Sequence, residues 1–230
     1  MKQAIVFVFV FSIIAVSDIL IYDDFEDGIA DGWLEIPTGA AYEIEGGRYH
    51  FSYTAPDTAM AASLTGDLFG LMTVPSYSIR TQVEIESGDI TGITARFDIF
   101  NNNGYAVTLL TEVGGMLVIS RMDQGELQIL AFTFTSIVPG QEYWVRFELN
   151  GPDIGAKIWT GSTSAEPETW LLTIVDATYP DPGSVGLLSI DENSGGTAML
   201  SAWFDEFQVD DDLTLTLSHN TWAAIKAMGI

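Results

Sequence analysis

The chain has no cysteine, so disulfides, thiol catalysis and cysteine-ligated zinc are all excluded. A fold without disulfides must rest on its own core, which 230 residues with 47% hydrophobic side chains can supply. Cations are almost as scarce. Eight Lys and Arg stand against 32 Asp and Glu, a formal net charge of −24. Phosphate backbones are held by clustered Lys and Arg, so the balance argues against a nucleic-acid partner. The two histidines, His50 and His219, are isolated and support neither a histidine triad nor a zinc site. No G-x-S-x-G, P-loop or dinucleotide fingerprint occurs, and no long segment has helical period.

What the chain does have is acid, aromatics and turns. The excess carboxylate suits solubility, calcium binding or a salty or cell-surface setting. Aromatics make up 12% of the residues, a composition that suits strands. Residues 1–17 read as a secretory signal, with Lys2 as its charged start, an apolar run over 4–16 and an A-x-S cleavage site at Ala15-Val16-Ser17. The apolar run is short for a membrane span, which needs about 20 residues. Cleavage leaves a mature chain starting near Asp18. An uncleaved N-terminal anchor is the alternative, and the only membrane contact expected.

Period-two alternation runs through the rest. Within residues 76–86, Tyr77, Ile79, Thr81, Val83 and Ile85 face one way and Arg80, Gln82, Glu84 and Glu86 the other, a half-buried antiparallel strand. Residues 90–100, 105–111, 115–122 and 126–134 continue as a meander. Residues 41–53 read as a hairpin around Gly46-Gly47, and 55–72 as a loose connection. Residues 185–190 and 198–209 read as two strands separated by an Asn193-Ser194-Gly195-Gly196 loop. Strands so regularly spaced, with a turn signal between each, predict one antiparallel β-sandwich domain over 18–212. Residues 213–230 stand apart as a tail, with a cap at Asn220 or Thr221 and a helix-prone stretch over 222–228.

The densest signal lies in residues 141–170. Tyr143, Val145, Phe147 and Leu149 alternate with Trp144, Arg146 and Glu148. After an Asn150-Gly151-Pro152-Asp153 turn, Ala156 and Ile158 alternate with Lys157 and Trp159. One face of this hairpin is apolar; the other sets tryptophans beside cations. The patterns W-x-R-F-E, G-x-K-x-W, E-P-x-x-W and G-x-V-G-L are carried by Trp144, Arg146, Phe147, Lys157, Trp159, Glu166, Pro167, Trp170, Val185, Gly186 and Leu187. They resemble the final strands of concanavalin A-like lectin/glucanase jelly rolls, closest to the bacterial laminin-G-like and 3-keto-disaccharide-hydrolase-like domains. The resemblance covers roughly residues 21–210. It implies an all-β, antiparallel β-sandwich of concanavalin A-like jelly-roll type, here with a short C-terminal tail.

For function the resemblance implies a secreted or cell-surface, lectin-like carbohydrate-binding domain that is not catalytic, with a glycan or polysaccharide as partner. Aromatic rings stack on sugar C–H faces while charged and amide groups take the hydroxyls. Arg96, Asn103, Tyr105 and Arg121 recur where similar domains carry R, N-x-Y and R. Ligand contacts are therefore expected at Arg96, Tyr105, Arg121, Trp144, Arg146 and Trp159. For any one tryptophan, core or rim packing is the alternative. Resembling families tie their chain ends with a structural Ca2+, which here implies ligands Asp24, Glu26 and Asp205. An acidic loop and a surface aspartate are the alternative to that metal. Two other functions stay in view. One is a structural or adhesive surface protein that self-associates; the other is a glycoside-processing enzyme. Glucanases of this fold use an E-x-D-x-x-E strand as acid and nucleophile. Glu84 and Glu86 have no Asp between them, so the expectation leans against catalysis.

Overall fold

The computed structural model describes residues 18–36, 38–66 and 72–215. The expected signal segment, 1–17, and the tail beyond Leu215 lie outside the described residues. In chain order the strands are β1 (Ile19–Asp23), β2 (Leu34–Glu35), β3 (Ala41–Glu45), β4 (Arg48–Thr65), β5 (Tyr77–Ser87), β6 (Ile90–Asp98) and β7 (Asn103–Leu110). Then follow β8 (Met116–Asp123), β9 (Glu126–Phe134), β10 (Glu142–Asn150), β11 (Asp153–Trp159), β12 (Leu172–Val175) and β13 (Ser184–Asp210). Every pairing is antiparallel.

Two long strands organise the whole. β4 and β13 pair with each other along most of their length, with a register shift between Asn193 and Thr197 opposite Pro56 and Asp57. Above that break, β13 lies between β4 and β6; below it, between β4 and β5. Each therefore runs through both layers of a sandwich. The first sheet reads β12-β11-β10-β5-β13-β4-β3, with β1 beside the last residues of β13. The second reads β9-β8-β7-β6-β13-β4-β2. Such a bend needs a bulge, which adds a residue and re-aims the strand. Asp57 adopts φ +61° at the corner. This is the antiparallel sandwich expected from the alternation, with the jelly-roll arrangement that the resemblance implies.

The inward faces of both sheets meet in one core. From the first sheet come Ile79, Val83, Phe147, Leu149 and Phe204; from the second, Ile93, Val107, Leu117, Ile119 and Leu187, all fully buried. Each such side chain contributes about 1.5–3 kcal/mol relative to exposure. Gly186 has a packing reason: a Cβ there would sit 2.3 Å from the Ser63 carbonyl oxygen. The D-F-E-D-G-x-x-x-G-W opening folds around Asp23, which accepts from the Phe25 amide at 2.9 Å and from Trp33 Nε1 at 2.8 Å. Trp33 then meets Phe25, Tyr49 and Phe207 edge-on or tilted within 5.8 Å, closing that end of the sandwich.

Two expectations are corrected. Residues 55–65, read as a loose connection, belong to β4, because Ala55, Ala59 and Ala61 alternate into the core as small residues. The Asn193–Gly196 loop is no break between strands but the irregular corner of one strand, β13.

Candidate functional site

The outer face of the first sheet concentrates the cations that the chain otherwise lacks. Four of the six described ones stand there: Arg48, Arg80, Arg146 and Lys157. Register sets them in rows. Lys157, Arg146, Arg80 and Gln208 lie side by side across β11, β10, β5 and β13, and Trp159, Trp144, Gln82 and Asp205 form the next row. A third row runs through Glu142, Glu84, Trp203, His50 and Glu43. The predicted sharing of one face by Trp144, Arg146, Lys157 and Trp159 therefore holds.

Two segments cover half of this face. The strap that follows β11 brings Glu166 among the cations, at 3.0 Å from Arg146, 2.8 Å from Lys157 and 3.6 Å from Arg80. Burial works to raise the Glu166 carboxyl, but the hydrogen bond from Lys157 and the charge of Arg146 outweigh it and hold the group below its usual range. Trp144 and Trp159 stack with centroids 6.0 Å apart and donate their Nε1 protons to the Gly161 and Ser162 carbonyls. The Trp170 ring lies over Lys157 Nζ at 4.6 Å. From the other side, the chain leaving β13 docks on Glu148. That carboxylate accepts from the amides of Thr214 at 2.9 Å and Leu215 at 2.6 Å, and pairs with Arg146 at 3.3 Å. The domain thus extends past the expected boundary at Asp212.

The remainder of the face is open. A cleft of about 450 Å3 is lined by Gln82, Glu84, Gln141, Glu142, Trp144 and Gly161. Beside it Trp203 stands between cross-strand neighbours, its ring stacked on His50 at 3.9 Å and under Arg48 at 5.0 Å. Arg48 ties Glu84 at 2.7 Å and reaches Glu142 at 3.8 Å. His50 Nε2 and the Ser201 hydroxyl are 2.8 Å apart, and that hydroxyl donates to Glu86 at 2.7 Å. Hydrogen bonds from Ser201 and Trp203 hold Glu86 below its ordinary range. Asp205, next to Gln82, is pushed up to about 6 by burial, helped by the Glu206 and Glu26 carboxylates. An aromatic edge, an amide, fixed carboxylates and a guanidinium thus converge on one open surface.

The expected ligand contacts fall in three separate places. Trp144, Arg146 and Trp159 are only 5%, 5% and 8% exposed; the two indole N–H groups bond the strap, and Arg146 divides its Nη groups between Glu166, Glu148 and the Asp212 carbonyl. Of the three, Trp144 alone reaches the cleft. Arg96 is corrected outright. It is 3% exposed, adopts φ +47° at the bulge between Ala95 and Asp98, and donates to the carbonyls of Pro75, Tyr179 and Gly151 at 2.8–3.0 Å. It staples three loops and offers nothing outward. Tyr105 and Arg121 meet at one end of the sandwich around Asp176, each at 2.7 Å. Arg121 also binds Asp123, Thr178 and Gln128, which uses its whole fork. Burial, then the bond to Asp176, pushes Tyr105 up to about 12. Trp203, Arg48 and Gln82 carry no expectation of ligand contact in the sequence, and His50 and Glu84 are weighed there only for catalysis or metal binding. The R-Y-H-F-S alternation of 48–52 and the W-F-D of 203–205 were the available signals.

The three expected calcium ligands do not converge. Among the described residues no group of three or more His, Asp or Glu side chains is arranged to hold a metal ion. Asp24 turns to the Tyr22 hydroxyl and the Glu26 amide, and Asp205 to the Glu206 amide. Short-range backbone bonds at the acidic loop and at the β13 bulge engage Asp24 and Asp205, two of the three carboxylates that were to meet.

No protein-family model matches the chain, and no curated protein matches it. Solved structures do share its fold, a lectin-like jelly roll. The carbohydrate-binding module CBM66 from Bacillus subtilis superposes with a TM-score of 0.59 at 15% identity, covering 78% of this chain and 95% of that one. The VIP36 exoplasmic/lumenal domain, in a Ca2+/Man3GlcNAc-bound form, gives 0.58 at 9% identity over 90% of this chain and 94% of that one. The GH43 protein BlXynB from Bacillus licheniformis gives 0.57 at 16% identity; this chain matches 38% of its length. At such identities the likeness shows the fold alone.

Proposed function

We propose that the chain is a non-catalytic carbohydrate-binding domain, secreted or displayed at the cell surface, that takes a glycan on the open half of the first sheet. The observation that carries this reading is the cleft lined by Trp144, Gln82, Glu84 and Glu142, with Trp203 on the neighbouring strand beside Glu84. Sugar rings offer apolar faces to indole and hydroxyls to amide and carboxylate groups. Arg48 fixes the carboxylates in place before any ligand arrives, so little ordering entropy is spent on binding. The buried Arg146 and Trp159 hold the strap that shapes one wall; Tyr105 and Arg121 shape a different end. Similar folds in a carbohydrate-binding module and a glycan-bound lectin domain support the reading, as does the finer resemblance to laminin-G-like domains.

The test is retention on a panel of immobilised polysaccharides. Trp203→Ala and Gln82→Ala should each weaken retention about tenfold with melting points within a few degrees of the parent. Retention unchanged in both moves the site off this face. Running the panel with calcium and with chelator adds the metal: chelator-sensitive retention would assign this chain the ion that the VIP36 domain carries. A glycoside-processing reading has one observation behind it. Asp205, raised to about 6, shares the face with Glu84, which Arg48 holds at 2.7 Å, and an acid beside a charged carboxylate is a glycosidase pairing. Turnover on the same panel, lost in both Asp205→Asn and Glu84→Gln, would establish it over binding alone.

A further inference from the structure

The outer face of the second sheet is as bare of charge as the first is rich. One row runs Phe132, Val118, Thr108, Gly92, Leu188 and Ala62 across β9, β8, β7, β6, β13 and β4. The parallel rows that start at Leu127, Ile129 and Phe134 likewise contain no ionisable side chain. In a chain of net charge −24, four outward rows across six strands without one carboxylate mark a face that something apolar covers. At its edge Phe134 is 66% exposed. At its centre the Thr94 and Ser120 hydroxyls are buried and have no hydrogen-bond partner among the described residues. Buried hydroxyls are normally paired, so the cover brings polar atoms of its own as well as apolar ones.

We propose that residues 216–230 of this chain dock on that face. The segment starts from a fixed point, because Leu215 is tied by Glu148 and by Asn150, whose Nδ2 donates to its carbonyl at 3.1 Å. Leu215 also packs against Gly155 on β11. From there the exposed Val175 on the edge strand β12 and Leu127 on β9 make an apolar path around the sandwich. Fifteen residues reach about 50 Å when extended, and the two sheets are about 10 Å apart, so length suffices. The chemistry matches as well. The segment holds Leu217, Trp222, Ile225, Met228 and Ile230, no acidic side chain, and the cation Lys226. A segment with no acidic side chain, tethered to a strongly acidic body, meets little repulsion, and the tether supplies a high effective concentration.

The absence of cysteine provides the test. Ser120→Cys in the full chain places a single thiol at the centre of the face, and its reaction with a disulfide reagent reports the cover. The thiol should be protected, and Trp222→Asp with Ile225→Asp should raise its rate at least about tenfold in a protein that stays monomeric. Equal rates in the two backgrounds overturn the proposal. So does protection that grows with protein concentration, which would make a second copy the occupant. If Ser120→Cys does not fold, binding of an apolar dye to the parent and to the Trp222→Asp/Ile225→Asp chain answers the same question. A dye signal that fails to rise then refutes the docking.

Discussion

Removing the Glu148 carboxylate should cost more than removing any other acid on the first sheet. The group is fully buried and serves four donors: Arg146 Nη2, the Thr214 amide and hydroxyl, and the Leu215 amide. Glu148→Ala orphans two backbone N–H groups and leaves Arg146, itself buried, with Glu166 as its close carboxylate. Breaking one side of a buried pair costs about 3–5 kcal/mol, and unsatisfied amides cost about 1–3 kcal/mol each where water does not reach them. Partial exposure of the freed chain end offsets some of this, so we expect about 3–5 kcal/mol in all. For a domain of this size, that lowers the melting temperature by about 6–20 °C. Glu148→Gln keeps one acceptor oxygen and should lose about half as much. Glu84→Ala is the control: its pair with Arg48 is partly open to solvent, so its loss costs less than about 1 kcal/mol. Denaturant titration and thermal melting would read these differences. A Glu148→Ala chain melting with the Glu84→Ala control would refute the docking of residues 213–215.

The other predictions follow from single environments. Asp205 has its folded pKa raised to about 6, so its contribution is fully present below the unfolded value near 4 and is lost as pH rises through 6. Asp205→Asn should therefore gain on the parent in melting temperature between pH 4 and pH 6.5; a constant difference would contradict the assignment. Arg96→Met strands three carbonyls and should destabilise by about 2–4 kcal/mol while leaving glycan retention intact. Trp159→Ala empties a buried site under the strap and should cost about 3–5 kcal/mol, whereas Trp203→Ala should cost far less. A Trp159→Ala chain that melts like the parent would return that ring to the list of ligand contacts.

Alternation made the layers readable and said nothing of what lies above them. Tyr77, Ile79 and Val83 point inward and Arg80, Gln82 and Glu84 outward, as the period of two requires. The same rule put Trp144 with Trp159 and Arg146 with Lys157 on one face, and the register pairs them so. Their burial comes from the strap that follows β11, whose Glu166 stands 20 positions from Arg146, and from residues 212–215, none of which alternation within the strands links to them. Arg96 illustrates a second limit. The resemblance implies it among the ligand contacts, and the bulge after Ala95 makes it the joint between three loops.

The three expected calcium ligands stay apart for a related reason. Asp24, Glu26 and Asp205 were joined by the nearness of first and last strands, and β1 does pair with the end of β13. Adjacent strands bring residues together; convergence of side chains depends on bulges and Asx turns, which here aim Asp24 and Asp205 at neighbouring amides. The open half of the first sheet had the opposite fate. Arg48, His50 and Trp203 lie in stretches read only as strand, and they acquired interest when β4 was laid beside β13 and β13 beside β5. A binding face on a sheet is a property of register between strands distant in sequence. It follows that Trp203→Ala and a register-preserving exchange of His50 with its neighbour across the ladder should affect retention together, because the two rings form one stacked pair on the face beside the cleft.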